Sequence, residues 1–438
     1  MKIVTFIITL VCCGLMFCVK REWKAALLVM GAMTLTVVNI PAVPLHKANF
    51  LLPASFLLSE LPYLRYHLAE LRCTPLLKTL LLLASLSAMI ASFTSTYISP
   101  GLFLRTELLF KYFVIAYAFW TIKDEESLKP VLYITLWCLI VLTIFGIANY
   151  LAQSAIFVNT LTEGKASLRN DDISLGDFYA STKRFRVQSM FKSAFDYGYM
   201  CTVILLLHIY AWFRGLESKS TFVIVLVCSL FGILFCECRI VLVSFILAIS
   251  CFYMWNFPLS KIAVAGILVL CAFTVSYSSI DFVENKVNKL SDALVENSKT
   301  GGSSIQMRAS QFLYVRHYTE GHELLGLGNG YWAYNFAEDQ DSVEGLLGVE
   351  SVILGYLLER GIIGLALWAI FYSILFRYFW RNRQKIRTLT ALGASILTAY
   401  LLFSIGTGEL GSVYPTLLLL GFAIKAIESA KAKEKCIN

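Results

Sequence analysis

The sequence predicts an all-α polytopic integral membrane protein, with about 12–13 transmembrane helices and two extracytoplasmic loops, the second partly helical. Two observations carry this. Of 438 residues, 58% are hydrophobic and 15% charged, for a mean hydropathy of +0.70, whereas soluble domains run nearer half apolar and a quarter charged. The apolar residues are also gathered into long blocks rather than spread through amphipathic patterns. The formal charge of +8 does not point to nucleic acid, because Lys and Arg sit mostly between the blocks rather than along one soluble face.

A hydrocarbon core of about 30 Å takes roughly 20 apolar residues per helix. Thirteen stretches approach that length, near 3–19, 25–43, 50–64, 76–95, 102–122, 131–152, 194–213, 221–237, 240–256, 262–279, 361–376, 388–405 and 413–428. The first ends in FCVKREWK, with no small-residue cleavage site, and reads as an uncleaved anchor. The third is short and carries Pro53, Glu60 and Pro62, so whether 50–64 spans is open, and its loss would change the parity.

Orientation follows from the excess of Lys and Arg in cytoplasmic loops. Lys20, Arg21, Lys24, Arg65, Arg72, Lys123, Lys129, Arg214, Lys219, Lys261, the cluster Arg377 to Arg387 and the tail Lys425 to Lys435 fall on one set of alternate loops, against little beyond Lys47 on the other short loops. The C-terminus is then cytoplasmic. The chain divides into N-terminal transmembrane helices (1–152), a first extracytoplasmic loop (153–192), central helices (193–279), a large extracytoplasmic loop with a half-helix (280–360), and C-terminal helices with a cytoplasmic tail (361–438).

Ten of the twelve cysteines, from Cys12 to Cys271 apart from Cys73, lie in or beside apolar stretches, where cysteine behaves as a small hydrophobe. No disulfide framework follows. Cys236 and Cys238, with at most one histidine in reach, fall short of a metal-ligand set. No metal and no cofactor is expected.

The loop 153–192 is basic where positive charge is normally scarce, and Lys183, Arg184 and Arg186 stand just before a helix entering the membrane. Long loops escape the positive-inside bias, which is one account; contact with an anionic headgroup is the other. The second loop has Val287, Leu290, Leu294 and Val295 at the spacing of a surface-lying amphipathic helix. It also holds Arg308, Arg316, His317 and His322, with Arg308, Gln311 and Phe312 expected on one helix face. LLGLGNGYW then places Gly326, Gly328 and Gly330 in a tight turn. Without a preceding strand, a structural turn is favoured over a phosphate cradle.

Charges inside apolar spans cost roughly 2.5–3.5 kcal/mol each on insertion scales and are candidates for function. Arg105, Glu107 and Lys111 fall on the fifth stretch, where Glu107 and Lys111, four apart, can pair. Arg239 follows an almost linkerless turn, FCECR; Glu237 can neutralise it, or its planar fork of donors can grip a phosphate. GVESVILGYLLERGIIGLALW reads as a half-helix, a break at Glu359, Arg360 and Gly361, and then a span. Broken helices are tolerated only beside protein or a watery cavity, so Glu350 at the mouth of this one points to a cavity.

Together these pieces resemble the superfamily of O-antigen ligases and O-antigen polymerases, over roughly the C-terminal two thirds from RVQSMFKSAFDYGYM onward. The ligases carry a histidine, then Asn, Ser or Gln, nine residues, and Gly-x-x-Gly. Here Glu350 stands at the histidine's place, followed by Ser351, Val352 to Arg360, Gly361 and Gly364. Arg239 resembles the family's arginine at a tight outer turn, with Cys238 in place of the usual Ser. Arg308, followed by HELLGLGNGYW, looks like the loop arginine upstream of a Pro-Leu-x-Gly-x-Gly turn, with Glu323 and Leu324 replacing the first two residues; Arg186 resembles the arginine that opens the segment entering the next span.

The resemblance implies metal-independent, inverting glycosyl transfer at the periplasmic face of a bacterial inner membrane. The donor would be a glycan on polyprenyl pyrophosphate, and the acceptor a lipid-linked repeat unit or lipid A core. Membrane lipid is a partner, and a chain-length regulator is admitted. Arg239 and Arg308 would be catalytic, stabilising the departing pyrophosphate, with Glu350 as general base; Arg186, Arg105, Arg316 and His317 would bind substrate. The missing histidine inclines toward the polymerase. A ligase using His317 or His322 as base is the alternative. A flippase of lipid-linked sugar needs a charged route at both leaflets, whereas Arg105 and Arg239 lie near the outer one.

Overall fold

The computed structural model describes residues 2–35, 48–96, 108–158, 185–258, 304–331, 351–408 and 412–437. Among them the regular structure is helical, with no strand. The helices are α1 Lys2–Cys18, α2 Arg21–Thr34, α3 Ala48–Glu60, α4 Leu64–Cys73, α5 Pro75–Phe93, α6 Val114–Thr121, α7 Lys129–Ala152, α8 Ala194–Phe213, α9 Lys219–Phe235, α10 Arg239–Asn256, α11 Ser304–Tyr318, α12 Val352–Asn382, α13 Arg387–Thr407 and α14 Val413–Ile437. Among the described residues, seven stretches are long and apolar enough to cross a membrane: Pro75–Phe93, Glu126–Ala152, Ala194–Phe213, Arg239–Asn256, Val352–Asn382, Arg387–Thr407 and Val413–Glu434. Thr5–Cys18, Leu108–Thr121 and Lys219–Phe235 are shorter apolar helices. The chain is an all-α polytopic membrane protein.

α8 is apolar on every side and buried almost throughout, the mark of a central helix. α7, α9, α10 and α13 pack around it. Small residues set the closest approaches: a Cβ on Gly232 would lie 2.3 Å from Cys201 Sγ, and one on Gly393 2.3 Å from the Phe379 ring. Packing against small residues substitutes for the hydrophobic drive that lipid removes between helices. Outward faces stay apolar, as at Val227, Ile246 and Ile370.

The basic loops gather at one end of the bundle. There Glu60 meets Lys24 and Arg21, Lys425 meets Glu70, Lys433 meets Asp124, and Lys385 meets Glu434. Because Glu60 closes on Arg21, α3 brings the chain back to this end. With 13 residues it is about 20 Å long, short of a full span, and it gives way to a 3-10 turn at Leu61–Tyr63. The stretch 262–279 and the amphipathic pattern between 281 and 299 lie outside the described residues.

Glu125 ties α7 to α8 at the same end. Arg214 grips it through Nε at 2.6 Å and Nη2 at 3.0 Å, and the Tyr210 hydroxyl donates to it at 2.5 Å. Burial acts to raise the Glu125 carboxyl, but these donors outweigh it and hold the group below its ordinary value. A depressed folded value stabilises fully above the unfolded carboxyl's value of about 4.3, and that contribution disappears as pH falls through the lower folded value. Wild-type protein in detergent is therefore expected to lose more melting temperature between pH 6 and pH 3.5 than Arg214→Gln; parallel melting curves would remove this staple from the fold's pH response. Half of Arg214 is exposed, which keeps the effect below about 1 kcal/mol.

Candidate functional site

Two arrangements occupy the end opposite the basic loops. The first is the turn between α9 and α10, where Glu237 takes a left-handed conformation with φ of 50°. Arg239 follows as the first residue of α10 and is exposed. The segment 185–193 crosses this turn. Val187 N–H donates to Phe235 O at 3.1 Å, while Ser189, also left-handed, is pinned by its Oγ to Leu142 O at 2.5 Å and by Asn149 Nδ2 to its own carbonyl at 3.0 Å. Arg186 is thereby set beside the turn. Its guanidinium lies 5.5 Å from the centre of the Phe195 ring and close enough to Cys236 and Cys238 to act on both thiols. Gly198 lets α8 reach the same turn, since a Cβ there would stand 2.6 Å from Cys236 Sγ. The structure thus brings Arg186 and Arg239, 53 residues apart (239 − 186), to one turn.

Unsatisfied polar groups surround this place. Gln188 is fully buried, yet among the described residues neither its Oε1 nor its Nε2 has a hydrogen-bond partner; nor has Asp196 Oδ1 on the first turn of α8. Such atoms are rare in native interiors and mark sites completed by water or ligand.

The second arrangement is the break in α12. Gly361 sits at φ 62°, ψ −168°, where the helix divides into the half-helix and span expected from the sequence. The glycine-rich turn straps the break. Leu327 N–H donates to Leu358 O at 2.8 Å, Gly328 N–H to Glu359 O at 3.1 Å, Gly330 N–H to Glu359 Oε1 at 3.0 Å, and Asn329 N–H to Ala91 O at the end of α5 at 3.1 Å. Ile362 and Ile363 return the pairing to Glu323 and Leu324. With its amide groups spent on the protein, the turn is structural and is not a phosphate cradle.

Arg360, beside the break, is 4% exposed and escaped the sequence reading as a site residue. Its Nη1 donates to Ser87 Oγ at 3.0 Å, its guanidinium lies 4.5 Å from the Tyr356 ring centre, and Tyr356 OH is 2.5 Å from Tyr112 OH. The neighbouring cavity, lined by Ser87, Tyr112, Tyr356, Trp368 and Tyr372, holds about 10 Å³, room for one water and not for a sugar. A charge interrupting an apolar run is the signal that singled out Arg105 and Arg239, and it was equally present in LLERGII.

The other expected residues stand apart or cannot be placed. α11 packs on the half-helix through Tyr314, Val315 and Leu358. Gln311 is buried with this face, whereas Phe312, Arg316 and His317 are exposed. Gln311 and Phe312 therefore do not share a face, because α11 turns its 311–314–315–318 row inward. Arg316 and His317 point away from that packed row. Arg308 belongs to α11, one turn before Gln311, and only its backbone is described. Arg105 and Glu350 lie outside the described residues. Thr135, His208 and Glu217 form a hydroxyl–imidazole–carboxylate series at 2.9 and 2.6 Å, but Thr135 and His208 are fully buried, and the series fastens α7 to α8. Among the described residues, no three His, Cys, Asp or Glu side chains are grouped to hold a metal.

The fold and this end of it define a class: a multi-pass helical membrane protein with arginines gathered at a turn between spans and a broken helix strapped by a glycine-rich loop. Residues 224–369 match the family described as O-antigen ligase, about a third of the chain, taking in Arg239, α11 and the break in α12. That stretch is similar to the O-antigen ligase family, whose members are glycosyltransferase-like enzymes processing glycans at membranes. No curated protein matches the chain.

Proposed function

We propose that this protein is a membrane glycosyltransferase that polymerises O-antigen or capsule-type repeat units, drawn from polyprenyl-pyrophosphate-linked oligosaccharide, at the outer face of a bacterial inner membrane. The observation that carries it is the placement of Arg186 beside the turn that leads into Arg239, at the end away from the basic loops. Positive-inside orientation puts the basic end in the cytoplasm and this turn outside.

In the proposed reaction the acceptor's hydroxyl oxygen bonds to the donor's anomeric carbon from the face opposite the pyrophosphate. The carbon–oxygen bond to phosphate breaks with inversion, and its electron pair leaves on polyprenyl pyrophosphate. Arg239 and Arg186, with Arg308 from α11, stabilise that growing charge. Glu350 takes the hydroxyl proton, since a carboxylate whose pKa is raised by desolvation can serve as such a base. Arg105, Arg316 and His317 complete the proposed substrate contacts, and no metal takes part. The match to the O-antigen ligase family, with Gly361 and Gly364 at the ligase spacing, favours transfer to lipid A core as the second reading.

The glycan profile of a deletion strain separates the two. A core carrying one repeat unit is expected for the polymerase, whereas bare core with accumulated lipid-linked polymer would establish the ligase. Within either reaction, Glu350→Gln should impair transfer more than Glu359→Gln, because the amide that replaces the Glu359 carboxylate keeps an oxygen for Gly330 N–H. Equal, mild effects would remove Glu350 from the mechanism.

A further inference from the structure

A second polar cluster lies at the basic end, away from the proposed transfer site. Glu60, at the end of α3, is 3% exposed and has both carboxylate oxygens engaged: Oε1 by Lys24 Nζ at 2.7 Å, and Oε2 by His67 Nε2 at 2.8 Å and Arg21 Nε at 3.3 Å. Lys24 also donates to Ser59 Oγ at 2.9 Å. His67 is buried and stacked on Trp120, with ring centres 4.6 Å apart. The cluster is a rigid base, and above it opens a cavity of about 460 Å³ lined by Phe17, Lys20, Arg21, Lys24, Leu58 and Tyr63, among others.

What the cavity presents is positive. Three cations against one satisfied carboxylate leave a formal surplus of +2 (3 − 1) in its lining. Arg21 is pre-set: its Nε is held by Glu60 and its guanidinium carbon lies over the Tyr63 ring, 4.2 Å from the ring centre. Its terminal nitrogens make no hydrogen bond to described residues. Lys20 is exposed, makes no ion pair among the described residues, and occupies the N-cap of α2, whose first turn has no side-chain cap. The positive end of the helix dipole there favours an anion. Glu22 shares that turn but does not line the cavity.

Apart from Ser59, the rest of the lining is mainly apolar and placed at a membrane boundary. Phe17 and Leu58, each 57% exposed, stand near the ends of α1 and α3, just before the charges begin. α4 continues the boundary with exposed Leu64, Tyr66 and Leu68 alternating with Arg65 and Arg72, the composition of a helix lying in the headgroup layer. A cavity of a few hundred cubic ångströms suits a ligand of phosphate-plus-glycerol size. Its mixed lining suits a molecule anionic at one end and apolar at the other.

We propose that this cavity binds the phosphodiester of an anionic phospholipid from the leaflet that meets the basic end, through the Lys20 ammonium and the free edge of Arg21. Zwitterionic lipids carry the same phosphodiester, but their ammonium group meets the cationic surplus and is disfavoured.

The test is native mass spectrometry of the full chain, released from nanodiscs made of equal parts phosphatidylglycerol and phosphatidylcholine. One phosphatidylglycerol is expected to remain bound with about tenfold preference. Lys20→Glu, which leaves every partner of Glu60 in place, should abolish that preference, and Lys20→Gln with Arg21→Gln should do the same. Arg72→Gln, on α4 outside the cavity, should retain it. The proposal is overturned if neither lipid is preferred, or if Lys20→Glu retains the preference. Equal loss in Arg72→Gln would show diffuse surface attraction instead, and displacement of the lipid by millimolar inorganic phosphate would give the cavity to a soluble anion.

Discussion

Arg239→Ala is expected to lower glycan transfer by about 10²–10³-fold while the protein accumulates normally, the loss typical of removing one donor from a charge-stabilising site. Arg239 is exposed at the first residue of α10, and its removal opens no cavity in the helix core. In cells the expected result is loss of long glycan ladders at unchanged abundance by immunoblot. Arg239→Lys keeps the charge and loses the planar fork, so partial activity is expected. Arg186→Ala should weaken the same step, and because the two arginines share a turn the double variant should lose less than the product of the single effects. Full-length ladders in Arg239→Ala would sink the assignment of this turn as the transfer site.

Gly361→Ala and Gly328→Ala are expected to prevent accumulation of the protein. Gly361 adopts φ 62°, ψ −168°, a region essentially restricted to glycine, and a Cβ there would lie 2.4 Å from the carbonyl carbon and oxygen of Leu324. Gly328 has φ 86°, and its Cβ would lie 2.4 Å from Ser95 Cα and Thr94 O. Both obstacles are backbone, which cannot rotate away. Each substitution should cost more than about 3 kcal/mol, a large part of a typical fold's stability. Gly321→Ala is the control: its φ is 80° but nothing lies within 4 Å of an added Cβ, so only the left-handed strain of about 1 kcal/mol remains. Fluorescence-detected gel filtration should show a folded peak for Gly321→Ala and none for the other two. A normal peak for Gly361→Ala would mean that the break in α12 does not depend on its strap.

The helical membrane class was legible from composition and block length, because lipid leaves a spanning helix no other way to satisfy its backbone. The break at Glu359–Gly361 was legible too, since two charges and a glycine interrupt an apolar run. Arg239 could be picked out because a charge in a turn with almost no linker is conspicuous. Arg360 was passed over although it sits in a similar interruption; its burial against Ser87 and Tyr356 depends on α5 and the first half of α12 meeting, and residues 87 and 360 carry no mark of that contact.

Periodicity and charge in the chain alone are local quantities, and they settled the helical membrane class, the gathering of Lys and Arg on alternate loops, and the position of the glycine turn. Contact between distant residues settled the rest: that Val187 pairs with Phe235 and so carries Arg186 to the Arg239 turn, that the glycine amides bond to α12 and α5, and that Glu60 gathers Arg21, Lys24 and His67 under a cavity. Side chains far apart in sequence meet only through the packing of whole helices. That packing is fixed by the shape of many small contacts, such as Gly198 against Cys236, which no window of sequence contains.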